Sequence, residues 1–399
     1  MRIGILREEK IPVDKRVVLT PKQCKWITEN TNIDLVVESS NIRCFLDSDY
    51  SNLGIEIVND LSDCDVLLGV KEVLKESLIS DKIYFYFSHT IKEQSYNREL
   101  LEKMVQKNIT MIDYEVLKDK NNKRLIGFGR YAGIVGAYNA LLTYGLKSDK
   151  FLLKSANKCS GIKELYQQLN KIKLSAEKII LTGKGRVSDG ALEILRRVNI
   201  KEVSKEDFIT NTYNESVFCS LNTMDYNERI DGSLSDKYDF YNNPDKYQSS
   251  FLNYTKHADI FIAGHFYGSG SPYLFTREDA KLNDFNLQVV ADISCDIDGP
   301  IASTIRSSTI KSPIYGYNPE TESEDDFKKR GVIAVMAVDN LPCELPKDAS
   351  EYFGNEFINK ILPHLIGEDP DIIIERATIC KDGNLTPGFE YLRNYLNGI

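Results

Sequence analysis

The chain has 399 residues, 42% hydrophobic and 27% charged, which is enough to bury large cores and longer than one typical domain. A net charge of −9, with Lys and Arg scattered among acids, argues against a nucleic-acid partner. No window reaches the ~18 apolar residues of a bilayer span, and the first residues lack the apolar core of a signal peptide, so no membrane partner and a cytoplasmic address are expected.

In chain order, residues 2–6, 33–37, 66–70, 83–87 and 110–112 are short apolar, β-branched runs and predict strands. Residues 21–29 and 93–107 carry helical spacing between them. This alternation predicts βαβ units on a parallel sheet. Residues 129–145, rich in Gly, Ala and Tyr, predict a helix leading into a second domain. There, residues 178–182 form an apolar run that ends in Gly183-Lys184-Gly185-Arg186-Val187-Ser188, and Ala191 to Leu195 continue with helical spacing. Residues 211–254 are dense in Asn, Asp, Tyr and Ser and are expected to form an irregular insertion. Strands are predicted over 259–263, 287–293 and 332–338, and a helix over 349–365. The expected fold is α/β, with two Rossmann-like doubly wound domains flanking an interdomain cleft. Residues 1–130 plus 341–399 are expected to form the N-terminal substrate and catalytic domain, and 131–340 the dinucleotide-binding domain. Eight dispersed cysteines without a C-x-x-C pair predict free thiols and no metal site.

The glycine turn is the main chemical clue. Gly-x-Gly between a strand and a helix brings backbone N–H groups up to a pyrophosphate, although an ordinary strand-to-helix turn has the same outline. Ser188 stands in the place of the third glycine, and Gly190 follows two residues later. An Asp or Glu expected roughly 20 residues on would hold the adenosine ribose. Here Val203 is followed by Ser204 and Lys205, with Glu206 and Asp207 one step late. That favours NADP(H) over NAD(H), with Lys184, Arg186 or Lys205 meeting the 2′-phosphate; the alternative is that Glu206 and Asp207 bind a ribose through a loop that curls back.

Only four histidines occur, and His89 follows the apolar run 83–87, where open α/β sheets place their ligands. Lys71 and Glu72 follow the preceding strand in the same way. A lysine, a carboxylate and an imidazole at one sheet edge suit proton transfer, against a capping histidine and a surface lysine as alternatives. Arg16 and Arg124 are candidates for gripping a substrate carboxylate or, alternatively, for surface ion pairs. Asp292 closes a strand of the second domain, as a ligand group or a cap.

These residues together resemble the alanine dehydrogenase and lysine-forming saccharopine dehydrogenase superfamily. The shared stretches are Arg16 to Pro21, Gly69-Val70-Lys71-Glu72, Phe87 to Gln94, Ile112-Asp113-Tyr114-Glu115, Phe128 to Gly133, Asp292 to Asp296 and Val338-Asp339-Asn340-Leu341-Pro342. Within it the chain resembles the lysine-ketoglutarate reductase domain at the N-terminus of bifunctional aminoadipic semialdehyde synthase. That likeness rests on Ser88 to Lys92, Thr182 to Ser188 and Asp339 to Pro342. It extends into the insertion, through Tyr238-Asp239 and Asn243 to Tyr247.

The resemblance implies reductive condensation of lysine with 2-oxoglutarate to saccharopine, with Lys71 and His89 as the acid–base pair. It implies substrate-binding roles for Arg16, Glu72, Glu115, Arg124 and Tyr131. Cofactor contacts are implied for Gly183, Lys184, Gly185, Arg186, Val187, Ser204, Asp292, Ile293, Asp296, Asp339 and Leu341. Ala302, Arg306 and Arg130 depart from the expected pattern. A related amino-acid dehydrogenase or opine-type synthase with another amine or keto acid, and a non-catalytic dinucleotide-binding regulator, are the alternatives. The chain is expected to be a free-standing reductase, as monomer or homodimer.

Overall fold

A computed structural model describes residues 1–268 and 270–399. The chain divides into two compact units, one of Met1–Phe128 with Pro346–Ile399 and the other of Gly129–Leu345. Among the described residues each holds one eight-stranded sheet.

The first unit opens with β1 (Arg2–Ile5), α1 (Pro21–Asn30), β2 (Asp34–Glu38), β3 (Glu56–Val58), β4 (Val66–Leu68), β5 (Ile83–Tyr86), α2 (Arg98–Gln106) and β6 (Thr110–Asp113). Helix α1 starts where the local chemistry requires it. Thr20 and Gln23 cap each other reciprocally, and Pro21 gives up an N–H that has no helical partner. Strands β4, β1 and β2 are parallel neighbours, and β4 also pairs with β5 and β5 with β6. Their side chains are buried on both faces, which is why they read as continuous apolar runs.

The second unit begins with α3 (Gly129–Ser148) and proceeds through β7 (Lys178–Thr182), α4 (Arg186–Arg197), β8 (Lys201–Glu202), α5 (Lys205–Thr210) and β9 (Val217–Leu221). A small antiparallel pair, β10 (Asn227–Arg229) and β11 (Tyr247–Ser249), precedes β12 (Ile260–Ala263) and β13 (Val289–Asp292). Antiparallel β14 (Ile314–Asn318) and β15 (Ser323–Asp325) form the edge beside β16 (Ile333–Met336). The chain then enters α6 (Pro346–Lys360) and closes the first sheet with β17 (Thr378–Lys381) and β18 (Asn384–Leu385), antiparallel to β6 and to each other.

Helices α3 and α4 meet backbone to backbone. A Cβ on Gly133 would sit 1.8 Å from the Val187 carbonyl oxygen, and one on Gly190 2.0 Å from that of Arg130. Gly190 therefore serves a close helix-on-helix contact, and the third-glycine place against β7 is filled by Ser188, whose hydroxyl donates to the Thr182 carbonyl.

Residues 211–254 require a correction. They are not wholly irregular, because Val217–Leu221 forms β9, paired along its length with β7. Periodicity hid this strand, since Val217, Phe218, Cys219 and Leu221 are buried within a polar neighbourhood and Ser220 interrupts the run. The spatial order is β8-β9-β7-β12-β13-β16, so the strand reached directly from α4 lies at the edge and β9 takes the place beside β7.

Candidate functional site

In the first unit the ends of β4 and β5 carry a linked set of charges. Glu72 is buried, and the Lys10 Nζ donates to both its carboxylate oxygens at 2.7 Å. His89 Nδ1 lies 2.7 Å from Glu72 Oε1. A carboxylate only accepts, so Nδ1 carries the hydrogen and Nε2 is the nitrogen left for proton exchange. Burial raises the Glu72 carboxyl, but the hydrogen bonds from His89 and Lys10 outweigh it and hold the group at about 2. Lys71 is half-buried; burial, then the Arg16 charge, push its ammonium below the ordinary lysine range. His89 sits at φ +54, a left-handed conformation that bulky residues keep only where the surroundings hold them in it.

Arg16 is buried, forks onto Asp14 through Nε and Nη2, and lies 4.1 Å from the Phe128 ring centroid. Arg124 is more exposed, donates from Nε to the Ile126 carbonyl at 3.0 Å and stands 3.9 Å from Glu115. Lys92 approaches Glu115 from 3.8 Å. Lys10, Asp14 and Glu8 were not legible as members of this cluster; only the density of charge over residues 7–16 hinted at it.

The second unit presents main chain in place of charge. Gly183 has φ +98, and a Cβ there would meet the Gly264 carbonyl oxygen at 2.5 Å. A Cβ on Gly185 would meet nothing within 4 Å, so the start of α4 has a glycine-wide cradle that fits a pyrophosphate. Ser188 is buried, and its hydroxyl donates to the Thr182 carbonyl at 3.1 Å, tying the turn to the end of β7. Lys184 is exposed, while Arg186 and Val187 open the helix half-buried. Tyr131 is buried under the Arg130 guanidinium.

Several expected contacts are altered by the packing. Ser204 is an exposed helix cap at the sheet edge, accepting from the Asp207 N–H, so it does not close the strand beside β7. That position belongs to Leu221, whose carbonyl accepts from the Gly183 N–H at 2.9 Å, and to Asn222 after it. The Asp292 carboxylate is buried and accepts from Ser294, Cys295 and Thr304, so it shapes its own turn. Ile293 packs against Gly136 of α3, and Leu341 is buried beside the same glycine. Asp296 is half-buried and Asp339 exposed. The three departures from the expected pattern have local causes. Ala302 lies in the core, Arg306 forks onto Glu324 at 2.7 Å, and Arg130 pairs with Glu193 at 2.7 Å.

His265, after β12, was not singled out in the sequence. Its Nδ1 lies 2.6 Å from the Thr182 hydroxyl, burial pushes it down to about 4, and its Nε2 has no hydrogen-bond partner among the described residues. A separate cavity of about 1020 Å³ lies against β6 and residues 364–391 and is lined by none of Lys71, Glu72 and His89. Among the described residues no helix is long and apolar enough to cross a membrane, and no cluster of three His, Cys, Asp or Glu is arranged for a metal.

Residues 4–135 match the family model for the alanine dehydrogenase/PNT N-terminal domain. Over 98% of its length the chain is 30% identical to the alpha-aminoadipic semialdehyde synthase of Arabidopsis thaliana, of which it covers 41%. It thus spans less than half of that relative. It is 24% identical to the lysine-forming, NAD(+) saccharopine dehydrogenase of Yarrowia lipolytica, with 90% of each chain covered. A solved L-alanine dehydrogenase has the same fold, with a TM-score of 0.65 at 16% identity over 99% of this chain and 100% of that one.

Proposed function

We propose, from the match of residues 4–135 to the alanine dehydrogenase/PNT N-terminal domain model, that this chain is an NAD(P)H-dependent oxidoreductase that condenses L-lysine with 2-oxoglutarate and reduces the product to saccharopine, reversibly. The observation that carries the reading is the Lys10–Glu72–His89 chain of hydrogen bonds beside a half-buried Lys71. Joining an amine to a keto acid forms a carbinolamine, and its dehydration to an iminium requires protons to be given and taken in turn. Lys71, with its ammonium pushed below the ordinary range, and His89, oriented through Nδ1 by Glu72, are the two carriers. Arg124 is assigned to a substrate carboxylate and Glu115 to the substrate ammonium, while Arg16, already gripped by Asp14, sets the charge around Lys71. A bound nicotinamide supplies the hydride. The amides around Gly183 and Gly185 would hold its pyrophosphate.

NADP(H) is the preferred nucleotide in this reading. The support is the end of β9, which carries neutral Asn222 in the ribose-reading place. The nearby Asp225 carboxylate is already taken by the Asn222 N–H and by Lys205, both at 2.7 Å, and the exposed Lys184 is on hand for a 2′-phosphate. The deciding experiment follows nucleotide absorbance with 2-oxoglutarate and each amine in turn. Oxidation with lysine, faster with NADPH than NADH, is the expected outcome. Oxidation with ammonia or another amine alone moves the chain to a related dehydrogenase, and nucleotide binding without turnover under any amine makes it a regulator.

A further inference from the structure

We infer that Glu8 is a positioning residue for the proton-transfer cluster, a carboxyl clamp on the main chain that carries Lys71. The inference rests on the role proposed for Lys71. Strand β4 ends at Leu68, and the Gly69 N–H is the next to join the sheet, donating to the Phe85 carbonyl at 2.9 Å. The two amides that follow leave the ladder and donate to Glu8 instead. Val70 N–H reaches Oε1 at 2.6 Å and Lys71 N–H reaches Oε2 at 2.8 Å. Glu8 is itself buried, 7% exposed, and arrives from the loop that follows the neighbouring strand β1. Gly69 leaves that loop its room, since a Cβ there would press the Leu6 side chain at 3.1 Å.

The same loop grips Glu72 through Lys10 at 2.7 Å, so residues 70–72 are held twice, by main chain at 70 and 71 and by side chain at 72. Both oxygens of Glu8 must accept for this grip. Glutamine keeps the shape but turns an amino group towards one of the two donors, and aspartate keeps both oxygens but is one methylene short.

The test compares wild type with Glu8→Gln and Glu8→Asp. Amide hydrogen exchange at residues 70 and 71 is measured without any substrate. kcat, the KM values and melting temperature are then measured with the amine and keto acid that the wild type uses. Expected for Glu8→Gln are exchange at least tenfold faster at those two amides, kcat down about 10²-fold as misplacement of a reacting group predicts, and KM values within threefold. Glu8→Asp should fall between the two. Wild-type exchange in Glu8→Gln, or a kcat within twofold of wild type, would overturn the clamp. So would a fall in kcat matched by an equal loss of folded protein, which Glu8→Asp would then share. If the wild type turns over no amine and keto acid pair, the functional reading fails, and unchanged exchange in Glu8→Gln would still count against the clamp separately.

Discussion

The two sheets have related architecture but opposite chemistry at the ends of their strands. Around β4 and β5 the first unit gathers Glu8, Lys10, Asp14, Arg16, Lys71, Glu72 and His89, each buried or half-buried and bonded to another. At the corresponding end of β7 the second unit places Gly183, Lys184 and Gly185, and the buried polar side chains nearby, Thr182, Ser188 and Asp292, spend their hydrogen bonds on the fold itself. The first arrangement stores protons at defined atoms. The second offers amides and space. Under the proposed function, one α/β frame would yield a reactive edge or a binding edge according to whether charge or glycine follows the strand.

If that contrast is correct, substitutions at the two edges should fail differently. The largest effects belong to the charged edge. Lys71→Met should lower kcat by about 10³-fold and His89→Gln by about 10²-fold, with dinucleotide affinity, read by fluorescence titration, nearly intact in both. Equal loss of turnover and affinity would reassign either residue to structure. Behind the glycine edge, where α4 packs on α3, the loss should be of stability. Gly190→Ala places a methyl where the Arg130 carbonyl stands 2.0 Å away, and overpacking of this kind costs about 1–3 kcal/mol, measured by denaturant unfolding.

The smallest effect separates two carboxyls within the charged edge. Glu72 is held at about 2 against an ordinary 4.5, so its contribution to stability is complete above 4.5 and lost as the pH falls towards 2. Burial, with Asp14 adding to it, pushes Glu8 up to about 8, so its ionisation opposes folding as the pH rises from 4.5 through 8. Each adds a slope of at most about 1.4 kcal/mol per pH unit. Glu72→Gln should flatten the profile below 4.5 and Glu8→Gln the profile between 4.5 and about 8. The same limb changing in both variants would contradict the opposite signs.

Much of the fold was legible because parallel strands buried on both faces write themselves as apolar runs, as at residues 66–68, 83–86 and 260–263. Strand β9 was not, because Asn211 to Tyr254 is polar on average and only tertiary pairing with β7 buries Phe218 and Leu221. Lys71, Glu72 and His89 were legible from their place after strands. Lys10 and Glu8 were not, since their partners lie 62 and 63 residues away and no local spacing records such a contact.

The order of residues determined where strands end and which side chains stand just beyond them, because strand burial and glycine turns are local properties of the chain. Tertiary structure decided which ends are neighbours: that Glu72 binds both Lys10 and His89, and that β9 and not β8 lies beside β7. Those outcomes depend on hydrogen bonds and packing between segments far apart in sequence, which exist only once the sheets have formed.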